Sequence, residues 1–247
     1  MDLVASGLGK TFGGLDGEPS FILDLPTLSF ELGKIVFLMG PNGSGKSMTL
    51  RLLGGEMRPS LGRVSVSLGD RHWYSDDRPC PIVRQQAEDN LALDLTVKEN
   101  LLLRAANSTF WERLFPTSRL DVFVRTRVEK HTELKRKLNQ PCRNLSGGQK
   151  QALAFLVSTG QNSPILLLDE FLAATDQKTS GLLRMMVKEY VVNTPACAIV
   201  VSHNISEALR EADRILLLKD GRLINDLYKG APDWNESFLI EGLSFSV

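Results

Sequence analysis

Residues 40–47 read GPNGSGKS and combine the residue types that can bind a nucleotide phosphate. Gly43 and Gly45 permit tight backbone turns, so that several N–H groups can approach one phosphate closely. Lys46 adds a positive charge for the β and γ phosphates, and Ser47 adds a hydroxyl that can bind Mg²⁺. The pattern G-x-x-x-x-G-K-[ST] therefore predicts a phosphate loop, whose candidate residues are Gly40, Asn42, Gly43, Ser44, Gly45, Lys46 and Ser47.

An acidic pair, Asp169 and Glu170, follows the apolar run at residues 165–168. Open α/β sheets bind ligands at the carboxyl ends of their strands, where this pair would lie. Asp169 could hold Mg²⁺ directly or through water, and Glu170 could orient or deprotonate an attacking water. The alternative is that the two acids simply end a strand. A phosphate loop in the same predicted sheet favours the functional interpretation.

The stretch LSGGQKQ, residues 145–151, is a second glycine-rich segment, and it precedes a predicted helix at residues 150–158. A glycine pair before a helix leaves backbone N–H groups free to hold an anion. The sequence therefore predicts two anion sites. A third segment, Gly9-Lys10-Thr11, also spells GKT, but Val4 stands where the motif requires glycine. We predict a surface turn there.

The elements that must position these residues follow an α/β pattern. Residues 214–218 and 222–224 flank Asp220-Gly221, which predicts a hairpin. Alternating apolar residues at 21–25 and 64–68 predict an added N-terminal antiparallel sheet. Three apolar runs are typical of parallel strands covered on both faces, and each ends at a candidate functional segment: residues 34–39, 165–168 and 198–201.

Strand patterns fade after residue 96, where residues 96–106 and 122–138 have the periodicity of amphipathic helices. The predicted fold class is therefore α/β: a P-loop NTPase core of mostly parallel sheet with covering helices, an N-terminal antiparallel β-subdomain and an inserted helical subdomain. We predict one domain over residues 1–247, divided into an α/β core at 1–96 and 145–230, a helical subdomain at 97–144 that carries LSGGQ at its end, and a tail at 231–247.

The composition argues against several other classes of protein. The formal net charge is +0, so bulk electrostatics gives no reason to expect nucleic acid as a partner. No apolar run approaches the roughly 18 residues that a membrane span needs, and the N-terminus lacks the pattern of a signal peptide. The cysteines Cys80, Cys142 and Cys197 form no CxxC pair, which is typical of reduced thiols in a cytosolic protein.

A phosphate loop, then LSGGQ, then four apolar residues followed by Asp-Glu resembles the ATP-binding cassette (ABC) ATPases, over roughly residues 3–228. LSGGQ argues against a P-loop kinase or GTPase. The resemblance implies ATP and Mg²⁺ as ligands and ATP hydrolysis as the activity. It also implies that two cassettes, either a homodimer or a pair with a related ABC ATPase, pack head to tail. The signature loop of one cassette would then contact the nucleotide held by the other cassette's Lys46, and its residues are Ser146, Gly147, Gly148 and Gln149.

Further positions take their roles from the same resemblance. Gln85 is similar to the Q-loop glutamine, which senses Mg²⁺ and water and contacts the membrane partner, although the adjacent Gln86 is an alternative. His203 resembles the switch histidine that hydrogen-bonds the γ-phosphate, the alternative being a strand-end histidine. Phe12 resembles the aromatic residue that stacks on adenine, the alternative being a core phenylalanine. Asp176 resembles the D-loop acid that reaches across the dimer.

Two segments depart from the family pattern. Phe171 follows Glu170 where family members usually carry proline, and residues 173–176 read AATD where the family usually has SALD. Neither departure removes a catalytic group. Both halves of the composite site are therefore present in one chain, and a single gene product could build two active sites.

The resemblance implies an energising subunit of a transporter, cytoplasmic and peripheral on the inner face of the cell membrane. Transmembrane permease subunits, and with them an extracytoplasmic solute-binding protein, would be its partners. The stretch HNISEALREADRILLLKDGRL, residues 203–223, is similar to bacterial uptake systems, so solute import is expected. The alternative is a soluble mechanical ATPase of the same superfamily, active in cofactor assembly or on nucleic acids.

Overall fold

A computed structural model describes residues 2–13, 19–68, 71–74, 80, 82–105, 117–159, 163–173 and 175–244. The described strands are β1 (Asp2–Gly13), β2 (Pro19–Asp24), β3 (Leu28–Glu31), β4 (Ile35–Met39), β5 (Leu61–Leu68), β6 (Arg71–Tyr74), β7 (Ile82–Val83), β8 (Ile165–Asp169), β9 (Cys197–Val201), β10 (Arg214–Lys219) and β11 (Arg222–Tyr228). The described helices are α1 (Lys46–Leu53), α2 (Val97–Ala105), α3 (Thr117–Val128), α4 (Thr132–Arg136), α5 (Gly147–Ser158), α6 (Gln177–Asn193), α7 (Ile205–Glu211) and α8 (Glu236–Ser244).

The strands form one sheet in the order β6-β5-β1-β2-β11-β10-β4-β9-β8-β7, and β3 also pairs with β1. Its middle consists of β10, β4, β9 and β8, which are parallel neighbours. Every residue of β4 and β9 is buried, as expected for parallel strands covered on both faces. The predicted α/β fold with a parallel centre is therefore confirmed.

The N-terminal part of the sheet is antiparallel, as the alternating patterns predict. Strand β1 pairs antiparallel with β2, β3 and β5. The prediction of a surface turn at Gly9-Lys10-Thr11 is wrong, because these residues lie inside β1. Gly9 faces Asp24 of β2 on one side and Leu61 of β5 on the other. The hydrogen bonds of two neighbouring strands thus outweigh the local preference of glycine for turns.

The predicted hairpin is present between β10 and β11. Asp220 and Gly221 both have positive φ angles, 47° and 75°. Two consecutive residues of this kind are typical of the tight turn that matches the twist of a two-stranded hairpin. Strand β11 continues to Tyr228, beyond the predicted end at residue 224.

The chain divides into two compact units. The first comprises residues 1–82, 163–170 and 185–247, and it contains the phosphate loop and the acidic pair. The second comprises residues 83–162 and 171–184, and it contains α2 to α5. The predicted boundaries of a helical subdomain at residues 97–144 stay a prediction.

Two predicted helices of the second unit have different bounds in the structure. The periodic stretch at 122–138 forms two helices, since α3 ends at Val128 and α4 begins at Thr132. Helix α5 begins at Gly147 rather than at Lys150, because Ser146 caps it despite the poor helix propensity of two glycines. Within the described part of the chain, no helix is long and apolar enough to cross a membrane.

Candidate active site

The phosphate loop joins the end of β4 to the start of α1. A Cβ atom at Gly40 would lie 2.2 Å from the carbonyl oxygen of Leu218, so only glycine fits beside β10. Gly43 and Gly45 have φ angles of 79° and 101°, a region that favours glycine. Gly45 immediately precedes α1, so the N-terminal N–H groups of this helix face the loop. The loop therefore has the backbone geometry of an anion site.

Two buried side chains of this loop fit a phosphate group. The Lys46 Nζ atom donates to the carbonyl oxygens of Gly40 and Pro41, both at 2.9 Å. Burial lowers the pKa of Lys46, while the charges of Glu170 and Asp169 act in the opposite direction. The Ser44 Oγ atom is buried without a hydrogen-bond partner among the described residues. Since a buried hydroxyl normally has a partner, an incoming phosphate oxygen would satisfy it.

The acidic pair lies at the carboxyl end of β8 in the same unit. The Ser47 hydroxyl donates to Asp169 Oδ1 at 3.4 Å. Glu170 Oε1 lies 3.0 Å from His203 Nε2, which follows β9. The first pair offers the oxygen ligands that Mg²⁺ prefers, and the second combines two groups that can exchange protons.

Glu170 has a φ of 47°, in the left-handed region that residues other than glycine seldom occupy. Such a conformation costs energy and persists where the surrounding structure imposes it. Phe12, by contrast, lies half-buried in strand β1, with the Lys10 ammonium 5.7 Å from its ring centroid. Its predicted contact with adenine stays a prediction.

The LSGGQ segment forms the start of α5 in the second unit. Ser146 is the N-cap residue: its Oγ atom accepts from Gln149 N at 3.3 Å, and Gln149 Oε1 accepts from Ser146 N at 3.2 Å. The Gly147 and Gly148 amides have no acceptor within the described residues. The cap uses a lone pair of Ser146 Oγ, so the hydroxyl hydrogen is still available. This loop thus offers three donors: the Ser146 hydroxyl and the amides of Gly147 and Gly148.

Two residues outside the motif hold Gln149. Lys137 Nζ donates to Gln149 Oε1 at 2.8 Å, and Gln149 Nε2 donates to Glu133 Oε2 at 2.8 Å. An ammonium can only donate and a carboxylate can only accept, so these partners determine the orientation of the amide. The sequence shows the S-x-x-Q capping pattern, but it gives no signal for Glu133 or Lys137, which come close only through folding.

Asp176 and Gly148, the second glycine of the pair, share a neighbour, Thr179. Asp176 Oδ1 accepts from Thr179 N at 3.0 Å and its Oδ2 accepts from Thr179 Oγ1 at 2.7 Å. These hydrogen bonds lower the pKa of Asp176. A Cβ atom at Gly148 would lie 2.7 Å from Thr179 Cγ2. Gly148 is therefore required for packing, and Ala174, in the same loop as Asp176, lies outside the described residues.

Comparison with known proteins decides the family. A family model described as "ABC transporter" matches residues 23–173, more than half of the chain. The chain belongs to this family. It is 30% identical over 234 residues to a tyrosine transport ATP-binding protein of Clostridioides difficile, and the match covers 91% of each protein. It is 31% identical over 227 residues to a probable sulfate/thiosulfate import ATP-binding protein of Chlorella vulgaris, covering 91% and 90%.

Solved structures agree with this assignment. A dimeric ATP-binding cassette in a post-hydrolysis state with ADP and Pi superimposes with a TM-score of 0.71, at 26% identity, over 92% of this chain and 98% of that chain. A CbiO1 protein from Clostridium perfringens, part of an ABC transporter complex, superimposes with a TM-score of 0.73 at 21% identity, over 97% and 92%, and shows the fold alone. The chain is an ABC-type ATPase, the ATP-binding subunit of an ABC transporter.

The structure of this ABC ATPase leaves the roles of several residues as predictions. Gln85 and Gln86 are both exposed, between β7 and a 3-10 turn at Ala87–Asn90, and their surroundings do not distinguish the two. Asn42 is exposed in the phosphate loop. Gln149 is hydrogen-bonded within its own unit and supports the signature loop, and its predicted contact with nucleotide stays a prediction.

Proposed function

We propose that this ABC ATPase hydrolyses ATP as a head-to-tail dimer of two copies, or of this chain and a related ABC ATPase. The proposal rests on how the functional groups are distributed between the phosphate loop and the signature loop of one chain. Lys46 and the acids accompany the phosphate loop, whereas the exposed Ser146 and Gly147 belong to a loop that has donors but no reactive group. Two-fold symmetry would convert these two half-sites into two complete ones. The similar cassette that is dimeric with ADP and Pi supports this arrangement.

In each composite site, the phosphate-loop amides and Lys46 would bind the β and γ phosphates. Glu170 would accept a proton from the attacking water while the bond between the γ phosphorus and its bridging oxygen breaks, giving ADP and Pi. His203, which lies against the Glu170 carboxylate, would hold that side chain and contact the γ-phosphate. Ser47 and Asp169, with Gln85, would hold Mg²⁺, which neutralises phosphate charge. The signature loop of the other copy would supply further donors to the γ-phosphate.

The dimer would drive transport by acting on separate membrane subunits at the inner face of the cell membrane. Several similar proteins are named for import, among them a thiamine import ATP-binding protein of Yersinia pestis. These names favour solute import, with permease subunits as partners and a solute-binding protein outside the membrane. Gln85 and the second unit would form the contact surface.

Two inactive variants mixed together test the dimer. A Ser146→Arg chain should bind ATP as a monomer, because its phosphate loop is unaltered, but it should not hydrolyse ATP alone. A Lys46→Ala chain should also be inactive alone. Mixing the two should restore part of the turnover, since one site of the heterodimer combines an intact phosphate loop with an intact signature loop.

The control is a Ser146→Arg chain mixed with a Ser146→Arg/Lys46→Ala double variant, which offers no complete site and should stay inactive. Normal turnover by Ser146→Arg alone would show that the signature loop is not needed and would refute the proposal. Absence of recovery in the first mixture, with heterodimers demonstrated by cross-linking, would equally contradict two independent composite sites.

A further inference from the structure

Gln151 is a buried polar residue of α5 that none of the roles above uses. Its side chain is 4% exposed. Its Nε2 atom donates to the carbonyl oxygen of Phe171 at 3.1 Å and to that of Arg84 at 3.2 Å. A primary amide nitrogen carries two hydrogens, so both are used. A buried amide nitrogen that donates both of its hydrogens to two distant backbone segments constrains both of them.

Both segments adjoin residues of the proposed reaction. Phe171 directly follows Glu170, and Arg84 directly precedes Gln85. One side chain of the helix that begins at the signature loop is thus bonded to the backbone next to the proposed general base and next to Gln85, the proposed Q-loop glutamine.

Further contacts strengthen each of these two connections. The buried ring of Phe171 packs on Phe155 of α5, with ring centroids 5.7 Å apart. Lys150, adjacent to Gln151, forms an ion pair of 2.6 Å with Glu88. The segment that contains Gln85 is therefore held on one side at Arg84 and on the other at Glu88, by consecutive residues of α5.

We propose that Gln151 is a positioning residue for ATP hydrolysis, which fixes the backbone after Glu170 and before Gln85 relative to α5. The inference rests on the proposed function, in which these two residues act on water and Mg²⁺. It also explains the phenylalanine at position 171: the buried ring and the bonded carbonyl restrain this segment without the proline usual in the family. The left-handed conformation of Glu170 is one that needs such support.

The test replaces Gln151 by methionine and by glutamate in the full chain. Methionine keeps the length of the side chain but donates no hydrogen bond, and ionised glutamate can only accept. Both variants should bind ATP with an unchanged dissociation constant, because the phosphate loop is unaltered. Their kcat should fall by about tenfold to a hundredfold, the effect of moving a reacting group by about an ångström. This separation of kcat from binding is the expected signature of positioning.

Val157→Ala is the matched control, because Val157 is a buried residue of the same helix that contacts neither segment through hydrogen bonds. Both this variant and the Gln151 variants should lower Tm, because each alters a buried side chain, but Val157→Ala should leave kcat unchanged. Phe155→Leu should also lower kcat, and its effect should not add fully to that of Gln151→Met, because both act through Phe171.

Glu170→Gln, measured alongside, separates the two possible failures. Inactive Glu170→Gln with normal kcat in Gln151→Met would overturn the positioning role and leave the proposed function intact. Normal turnover by Glu170→Gln would refute the proposed function and, with it, this inference. A kcat loss in Val157→Ala as large as that in Gln151→Met would show that destabilisation of α5 alone explains the effect, against the proposal.

Discussion

The phosphate loop and the signature loop both place glycines at the start of a helix, but for different physical reasons. In the phosphate loop, Gly43 and Gly45 have positive φ angles, and Gly40 leaves room for a neighbouring carbonyl. Neither Gly147 nor Gly148 has a positive φ. Gly148 lies against Thr179, while a Cβ atom at Gly147 would meet nothing within 4 Å. Nothing in the described part of this chain requires glycine at position 147.

The helix caps differ in the same way. Helix α1 has no side-chain cap, so its first amides face the loop interior, next to the buried Lys46. Helix α5 has a complete capping box, and its two glycine amides remain exposed or half-buried. The first loop is built to enclose a ligand, whereas the second is rigid and open. An open, rigid donor surface is what a ligand held by another molecule would need.

The largest expected effect comes from Glu170→Gln, which should lower kcat by about 10² to 10⁴-fold, the usual contribution of a general base. Glutamine keeps the size and hydrogen-bonding capacity of Glu170, so ATP affinity should persist. Because hydrolysis is blocked, an ATP-bound dimer should accumulate. Turnover assays and size-exclusion chromatography with ATP measure both. The exposed Glu129 provides a control, since Glu129→Gln should change neither. A fully active Glu170→Gln enzyme would place the reacting group elsewhere.

Lys46→Ala should weaken ATP binding by at least about tenfold, because a hydrogen bond to a charged group contributes about 1.5–3 kcal/mol. Ser146→Ala should leave the ATP affinity of the monomer unchanged, since the signature loop would serve another copy. Calorimetric titration at protein concentrations below dimerisation compares the two. If Ser146→Ala weakened binding by the monomer as much, the distinction between the two loops would fail.

The glycine pair should respond to alanine with opposite signs. Gly147→Ala should raise the free energy of unfolding by up to about 1 kcal/mol, because alanine favours a helix and has open space there. Gly148→Ala should lower it by about 1–3 kcal/mol, since Thr179 must move. Urea denaturation measures both. Turnover should fall in both variants, and normal turnover in the stabilised Gly147→Ala chain would contradict close approach of a second copy.

The smallest expected effect is the reactivity of the three cysteines, which are all buried. The cysteines of the unit with the phosphate loop and the cysteine of the unit with the signature loop should be equally unreactive. Burial raises the pKa of Cys80 and Cys142 to about 11 and that of Cys197 to about 12. Below those values the unreactive thiol predominates, so a thiol reagent at about pH 8 should label none of them in the folded protein. Labelling in urea gives the full count. Rapid labelling of Cys142 alone would show that the segment before the signature loop opens.

The sequence predicts the phosphate loop, the hairpin and the central strands well. The glycine pattern of a loop and a continuous apolar run are both signals that neighbouring residues provide. The wrong turn at Gly9-Lys10-Thr11 and the predicted start of α5 at Lys150, three residues after the observed one, are also local inferences. Strand pairing in β1 and the Ser146 cap override them. Glu133 and Gln151 could not be found this way. Their partners are distant in sequence, and the chain must fold before either contact exists.

Because Glu170 has a left-handed backbone, selection for stability and selection for activity favour different residues at position 170. Glycine or asparagine would occupy that conformation with less strain, a difference on the order of 1 kcal/mol. Random libraries screened only for thermal resistance should therefore enrich Glu170→Gly and Glu170→Asn and lose the enzyme in the process. A natural lineage in which transport is no longer under selection should accumulate the same substitutions at position 170. Retention of glutamate at this position would then record continued selection for turnover, at the expense of stability.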